Sequence, residues 1–237
     1  MDRSAHWERV YRTKGPDQVS WFQAEAQMSR QLIESALPDR EARIVDVGAG
    51  ASTLVDGLLA AGYRRVTVVD LSSRALELAQ ERLGTSASSA RWEHADVLTH
   101  AFDRAATDLW HDRAVFHFLT SPEDRAQYLA QVRRAVCTGG LVLVATFAED
   151  GPMRCSGLAV GRYSAAELHS AFGADFRLLE SRRELHITPT GGQQAFTYCL
   201  CRFEPLADSH AAAKRRLVQI AVLRKRRQGR RSVSGGS

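Results

Sequence analysis

The sequence predicts an α/β protein with a doubly wound, mostly parallel seven-stranded sheet that closes with an antiparallel C-terminal pair of strands. Short runs rich in β-branched residues alternate with helical patterns through the first part of the chain, which is typical of parallel sheets flanked by helices. Two long extended runs, 176–187 and 193–203, then follow each other with only a turn between them. The turn, 189–192, contains Pro and two Gly, which indicates an antiparallel pair.

The first half of the sheet is predicted from three short strands separated by helical patterns. A helix over 24–37 has apolar residues at four-residue spacing and stops before Pro38. The next helices are expected at 53–61, which Gly62 closes, and at 73–83. The strands are expected at 42–47, 65–70 and 91–93.

The second half adds two parallel strands and two capped helices before the antiparallel pair. The fourth strand is expected at 106–110 and the fifth at 141–147, after Gly139-Gly140. Ser121-Pro122-Glu123-Asp124 predicts a helix start, because a Ser cap is followed by Pro at the first helical position and two acids. Ser164 and Glu167 have the spacing of a capping box, which predicts a helix ending near Phe172.

Composition narrows the class of protein. The chain has 237 residues, 44% hydrophobic and 25% charged, which suits one large globular domain. It contains no run of 18 or more apolar residues and starts without an apolar secretory segment, so no membrane span or export signal is predicted. The four cysteines lack C-x-x-C spacing, which favours free thiols in the cytoplasm and predicts no metal site.

The charge is unevenly distributed along the chain. Residues 207–237 contain nine Lys or Arg and one acid, a net charge of +8, whereas residues 1–206 contain 23 basic and 26 acidic side chains, a net charge of −3. We therefore predict an amino-terminal segment, 1–23, a main domain, 24–206, and a basic tail, 207–237. The tail's apolar run, 217–223, is flanked by positive charge and would contact nucleic acid or an anionic membrane surface; a solvated extension is the alternative.

Residues that can contact a ligand stand where the first three strands end. The first strand ends in Asp46-Val47-Gly48-Ala49-Gly50, and glycine allows backbone to turn sharply and approach a ligand. The second ends in Asp70-Leu71, where a carboxylate can accept hydrogen bonds from the two hydroxyls of a ribose. The third ends in Asp96-Val97, where an acid can receive an adenine amino group. For Gly48 and Gly50 an ordinary turn is the alternative, and for Asp70 a helix cap.

Together these motifs resemble those of the class I S-adenosylmethionine-dependent methyltransferases, and the resemblance covers roughly residues 40–203. It implies that Asp46, Gly48 and Gly50 line the methionine part of the cofactor, that Asp70 with Leu71 holds the ribose, and that Asp96 with Val97 holds the adenine. Ser52 stands where many members have a third glycine. Thr53 stands where a dinucleotide fingerprint would have its last glycine, which counts against NAD.

The segment after the fourth strand faces the transferable methyl group in that family. Asp112, Arg113 and His117 are therefore the candidate catalytic residues. Charged residues in so apolar a stretch are costly unless they are paired. The alternatives are that Asp112 and Arg113 pair with each other or cap a helix, and that His117 belongs to the core.

The amino-terminal segment is rich in aromatic residues and resembles the start of small-molecule and some protein-lysine methyltransferases, where it folds over the cofactor. A sulfonium cation is attracted to aromatic faces, which gives Tyr11, Trp21 and Phe22 a physical reason to be there, and Trp21 is taken as a cofactor contact. The alternative is that these rings fasten the first helix to the sheet.

The resemblance implies a methyltransferase that uses S-adenosylmethionine and acts on a small-molecule substrate. An Asn-Pro-Pro-Tyr-type tetrapeptide, the mark of many amino-methylating enzymes, is missing after the fourth strand, where Asp108-Leu109-Trp110-His111 is expected instead. The methyl acceptor stays open between a thiol, a carboxylate, an amine and a metalloid. A protein-lysine methyltransferase is the leading alternative, and a non-catalytic binding module with the same fold is the other.

Overall fold

The computed structural model describes residues 2–206, and the predicted basic tail lies outside them. It confirms the predicted fold class, since one seven-stranded sheet has the order β3-β2-β1-β4-β5-β7-β6, in which only the contacts of β7 are antiparallel. The strands are β1 Arg43–Val47, β2 Arg65–Asp70, β3 Ala90–His94, β4 Thr107–Arg113, β5 Val136–Phe147, β6 Phe176–Ile187 and β7 Gln193–Phe203.

Six α-helices accompany the sheet in the described part of the chain. They are α1 Arg3–Thr13, α2 Gln27–Ala36, α3 Leu54–Ala60, α4 Ser73–Leu83, α5 Pro122–Ala135 and α6 Ala165–Phe172. Ser121 caps α5 by accepting from the Asp124 amide, and Ser164 with Glu167 forms the predicted capping box of α6. Two features were not predicted from the sequence: helix α1 and a short hairpin of Arg154–Cys155 with Leu158–Ala159.

Strands β4 and β5 are longer than predicted. Strand β4 continues beyond Trp110 to Arg113, because it pairs with β1 on one side and β5 on the other, and this pairing outweighs the polarity of its last three residues. The tetrapeptide Asp108–His111 consequently lies inside the strand and not after it, which corrects that expectation. Strand β5 begins at Val136, five residues before the predicted start, because Val136 pairs with Thr107 across an irregular register.

Two apolar layers cover the faces of the sheet. On one face, side chains such as Val47, Trp110 and Val144 pack against α5 and α6. On the other, side chains such as Ile44 and Leu143 pack against α2 and α3. Because both faces are covered, the central strands are buried almost throughout, as parallel strands usually are.

The strand order places a cleft at the carboxyl ends of β1 and β4. The chain builds the sheet outward from β1 through β2 and β3, then returns to add β4 on the other side of β1. Ligands of doubly wound sheets bind at such a reversal, because neighbouring loops diverge there. Within residues 2–206, every helix is too short or too polar to cross a membrane.

Candidate active site

A cleft with an empty volume of about 810 Å³ opens at the reversal between β1 and β4. One end, here called the acidic end, is lined by Asp70, Leu71, Asp96 and Val97 from the ends of β2 and β3. A second group of lining side chains, here called the aromatic end, consists of Trp7, Tyr11, Trp21 and Phe118. It adjoins the acidic end, because the Tyr11 hydroxyl packs against Gly50, whose amide donates to Asp70.

Gly48 and Gly50 shape the floor of the cleft where β1 ends. Both have positive φ, +58° and +55°, a conformation that side chains with a Cβ rarely adopt. A Cβ on Gly48 would overlap the side chain of Val115, and one on Gly50 would overlap the Tyr11 hydroxyl. The two glycines therefore allow the turn after β4 and helix α1 to approach the loop after β1.

Asp70 is fixed at the acidic end by two backbone donors. Its Oδ2 accepts from the Gly50 amide at 2.7 Å, and its Oδ1 accepts from the Ser72 amide at 2.7 Å. Burial raises the pKa of Asp70 to about 6, although both backbone hydrogen bonds oppose that shift. Each carboxylate oxygen has more than one lone pair, so Asp70 can still accept from a ligand in the cleft.

Asp96 and Val97 continue the acidic end along β3. Asp96 is half-buried, and its Oδ1 accepts from the Leu98 amide at 2.9 Å, while Val97 is buried beside it. The Ala95 amide donates to the Asp70 carbonyl at 2.9 Å. This bond joins the loops after β2 and β3, so the structure brings together Asp70, Leu71, Asp96 and Val97 as the sequence predicted.

Asp46 lies deeper, beneath the loop after β1, and contacts a histidine that sequence reasoning missed as a site residue. Its Oδ1 is 2.6 Å from Nδ1 of His111, and both side chains are 3% exposed. The other carboxylate oxygen, Oδ2, is buried without a hydrogen-bond partner in the described part of the chain. Asp46 and His111 also line a smaller cavity beside the cleft, together with Gly48 and Thr53. If the predicted fourth strand had ended at His111, one residue later, its pairing with β1 would have placed His111 next to Asp46.

Asp112 holds the turn after β4 and is not among the residues that line the cleft. Its carboxylate accepts from the Val115 amide at 2.8 Å, the Phe116 amide at 3.0 Å and the Tyr128 hydroxyl at 2.6 Å. The side chain is fully buried, and burial raises its pKa to about 6. These contacts correspond to the alternative of a capping residue, which holds the turn after β4.

His117 is also buried away from the cleft lining. Its Nδ1 accepts from the Phe147 amide at 3.4 Å, and burial, with the charge of Arg113, lowers its pKa to about 3. The imidazole is therefore neutral at physiological pH. This environment agrees with the alternative of a core histidine.

Arg113 is the one predicted catalytic residue that lines the cleft. Its Nε donates to the Tyr198 hydroxyl at 2.9 Å, and its Nη1 donates to the Trp21 carbonyl at 3.3 Å. Its Nη2 lies 3.4 Å from Glu184, and the guanidinium stacks over Phe196 at 4.1 Å. Arg113 thus connects the amino-terminal segment to the antiparallel strands.

The aromatic end is built mainly by the amino-terminal segment. Trp7 contacts Phe118 and Trp21 with ring centroids 5.0 and 5.7 Å apart, and Trp21 Nε1 donates to the Tyr11 hydroxyl at 3.4 Å. Trp7 and Phe118 were not predicted as site residues, although Trp7 lies one helical turn before Tyr11 and so faces the same side of α1. Cys155 lines the cleft too, but burial raises its pKa to about 12, so its thiol stays protonated.

Comparison with known proteins agrees with this geometry. Residues 44–140 match the model of a methyltransferase domain family, a range that runs from β1 into β5 and contains Asp46, Asp70 and Asp96. Residues 44–140 are thus a methyltransferase domain, and the fold around them is that of class I S-adenosylmethionine-dependent methyltransferases. The cofactor that this domain indicates is S-adenosylmethionine.

Curated relatives of this chain include an uncharacterized methyltransferase and an eEF1A lysine and N-terminal methyltransferase. An uncharacterized methyltransferase of Mycobacterium tuberculosis is 33% identical over 120 residues, 49% of this chain and 56% of that protein. An eEF1A lysine and N-terminal methyltransferase of Danio rerio is 24% identical over 148 residues, 61% of this chain and 21% of that protein. The chain thus spans about half of the first relative and about a fifth of the second.

Solved methyltransferase structures share the fold. The 1,6-didemethyltoxoflavin-N1-methyltransferase of Burkholderia thailandensis, solved with its substrate and S-adenosylhomocysteine, superposes with a TM-score of 0.60. It is 23% identical, and the match covers 77% of this chain and 80% of that one. At this level of identity the likeness extends to the fold alone.

Proposed function

We propose that this protein transfers a methyl group from S-adenosylmethionine to a small-molecule nucleophile. The observation that carries the proposal is a single cleft lined both by carboxylates at the ends of β2 and β3 and by aromatic side chains. The acidic end has carboxylates for the hydroxyl and amino groups of an adenosine, and the aromatic end has π faces for a cation. When bound, S-adenosylmethionine supplies an electrophilic methyl group on a positively charged sulfur.

The residues present fit that cofactor along its length. Asp70 would accept from the ribose hydroxyls, with Leu71 packed beside it, and Asp96 with Val97 would hold the adenine. The smaller cavity lined by Asp46, Gly48 and Thr53 would take the methionine part. The buried Oδ2 of Asp46, which has no partner in the described chain, provides a carboxylate oxygen for an ammonium group.

The aromatic end would align the acceptor and exclude water. Trp7, Tyr11, Trp21 and Phe118 form a nearly continuous apolar wall, and Trp21 would contact the sulfonium. Alignment is the main requirement for an in-line displacement with a good leaving group. In this proposal Arg113 is a positioning residue that fixes Trp21 through its carbonyl, while Asp112 and His117 hold the turn that carries Phe118.

The charge distribution favours an acceptor that arrives without its proton. Among the described residues that line the cleft, the carboxylates are Asp70 and Asp96, and both stand at the acidic end. In this proposal both carboxylates hold the adenosine, so a protonated amine would lack a free base, whereas a thiolate, a carboxylate or a metalloid anion needs none. The acceptor classes that fit best are therefore these anions.

Protein-lysine methylation is the second candidate, because one relative is an eEF1A lysine and N-terminal methyltransferase. Incubation with methyl-labelled S-adenosylmethionine separates the two, with a small-metabolite pool in one arm and cell protein in the other. We expect label in the small-molecule arm alone. Label on protein lysine would favour the second candidate, and Asp70→Ala is the control that should abolish either signal.

A further inference from the structure

Three buried polar side chains, Ser29, His111 and Asp46, form a chain of contacts from helix α2 to the cavity beside the cleft, here called the buried relay. His111 Nδ1 lies 2.6 Å from Asp46 Oδ1, and His111 Nε2 lies 2.9 Å from Ser29 Oγ. The three residues are between 1% and 3% exposed. The buried relay lies within the apolar layer between the sheet and helices α2 and α3.

The register of the sheet explains how the buried relay forms. Asp46 and His111 are opposite each other on the paired strands β1 and β4, and α2 packs over that face. Buried polar groups are costly unless each has a partner. Both imidazole nitrogens have one, whereas Asp46 Oδ2 has none among the described residues. Because Asp46 lines the cavity, that oxygen's partner is expected to come from a ligand.

We propose that His111 and Ser29 are positioning residues that hold Asp46 with its Oδ2 ready to accept from the ammonium group of the cofactor's methionine part. The contact between His111 Nδ1 and Asp46 Oδ1 occupies one carboxylate oxygen and leaves Oδ2 free to accept from a ligand. Ser29 fixes the ring from its other nitrogen, as an outer partner does for a metal-bound histidine. This inference rests on the proposed function.

Two ligands that differ by the amino-acid part provide the test. S-Adenosylhomocysteine has the ammonium group, whereas 5′-methylthioadenosine has the same adenosine and a thioether but no amino acid. We expect His111→Leu to weaken binding of S-adenosylhomocysteine by roughly tenfold, the effect of losing one charge-assisted hydrogen bond. Binding of 5′-methylthioadenosine should change by less than about twofold, because the buried relay does not contact the adenosine.

Two further variants guard against a merely structural effect. His111→Asn keeps an N–H donor near the position of Nδ1, so it should restore S-adenosylhomocysteine affinity to within about threefold of the parent. Ser29→Ala should lower the affinity for S-adenosylhomocysteine by about threefold, since it removes one neutral hydrogen bond. Ser35→Ala, on the same helix but bonded to the Leu32 carbonyl, is the matched control and should leave both affinities unchanged.

Calorimetric titration of both ligands into the full chain and these variants tests the inference. The inference is supported if His111→Leu or Ser29→Ala loses affinity for S-adenosylhomocysteine alone and His111→Asn restores that affinity. Equal loss of both ligands in folded variants, or no loss at all, overturns it and leaves the proposed function standing. If the parent chain binds neither ligand, the proposed function itself fails. Should His111→Leu not fold, Ser29→Ala carries the same comparison.

Discussion

The two ends of the cleft are built in different ways. At the acidic end, Asp70 is the last residue of β2 and Asp96 lies two residues after β3. Backbone amides close by in the sequence or in the neighbouring loop fix their carboxylates. At the aromatic end, Trp7 and Phe118 are more than a hundred residues apart and meet only through folding. The acidic end is thus determined by local strand-end motifs, whereas the aromatic end depends on tertiary packing.

This difference predicts separate consequences for substitutions behind each end. Asp112→Ala should have the largest effect on stability, because it leaves the Val115 amide, the Phe116 amide and the Tyr128 hydroxyl buried without their acceptor. We expect the free energy of unfolding to fall by about 3 kcal/mol or more, measured by urea denaturation. Cofactor affinity per folded molecule should change little, since Asp112 does not line the cleft.

Asp108→Ala is the matched control at the opposite end of β4. Asp108 accepts from the Arg43 guanidinium and from the Arg43 amide at 2.7–2.9 Å. Both side chains are about one-third exposed, so its loss should cost less, about 1–2 kcal/mol. If Asp112→Ala were as stable as Asp108→Ala but inactive, Asp112 would be a catalytic residue and not a support of the turn.

The pH dependence of stability tests the buried environment of Asp112. Burial raises the pKa of Asp112 to about 6, above the ordinary value of about 3.9 in an unfolded chain. The folded state therefore binds this proton more tightly, so the contribution of Asp112 to stability falls as pH rises from about 4 to about 6 and is constant above that. Urea titrations of the parent chain and Asp112→Asn should converge or cross over this range. A difference that is independent of pH would contradict the raised pKa.

Sequence patterns predicted the sheet and the acidic end because both depend on local signals. Asp46 and Asp70 stand at the ends of short β-branched runs and Asp96 follows the next short strand. The strand order of such sheets brings those ends together. The role of His111 depended instead on the full length of β4, which pairing with β1 and β5 determines. Likewise, the burial of Asp112 and His117 follows from packing around Tyr128 and Phe147, residues too distant in sequence for a pattern to join.

A smaller effect is expected at the aromatic end, where Trp21 would face the sulfonium. S-Adenosylmethionine carries a positive charge on sulfur and S-adenosylhomocysteine does not. Trp21→Ala should therefore weaken the binding of S-adenosylmethionine by about 0.5–2 kcal/mol more than the binding of S-adenosylhomocysteine. Trp21→Phe retains a π face, so the difference between the two ligands should be smaller. Equal losses for the two ligands in a calorimetric comparison would mean that Trp21 only closes the cleft.

The smallest effect is expected from removing the basic tail, which lies outside the described residues. The residues through Phe203 form one compact unit that contains both ends of the cleft. Truncation after Pro205 should therefore change cofactor affinity by less than about twofold and should abolish any salt-sensitive binding to polyanions. Loss of activity or solubility on truncation would place the boundary of the domain further along the chain.

The most direct test of the account is a calorimetric titration of S-adenosylmethionine into the parent chain and Asp70→Ala. We expect one site per chain and a loss of roughly 1.5–3 kcal/mol in the variant, the value of hydrogen bonds to a charged group. Asp103→Ala, an exposed acid away from the cleft, is the control and should bind as the parent does. Unchanged affinity in a folded Asp70→Ala variant would contradict the assignment of the acidic end to the cofactor's ribose.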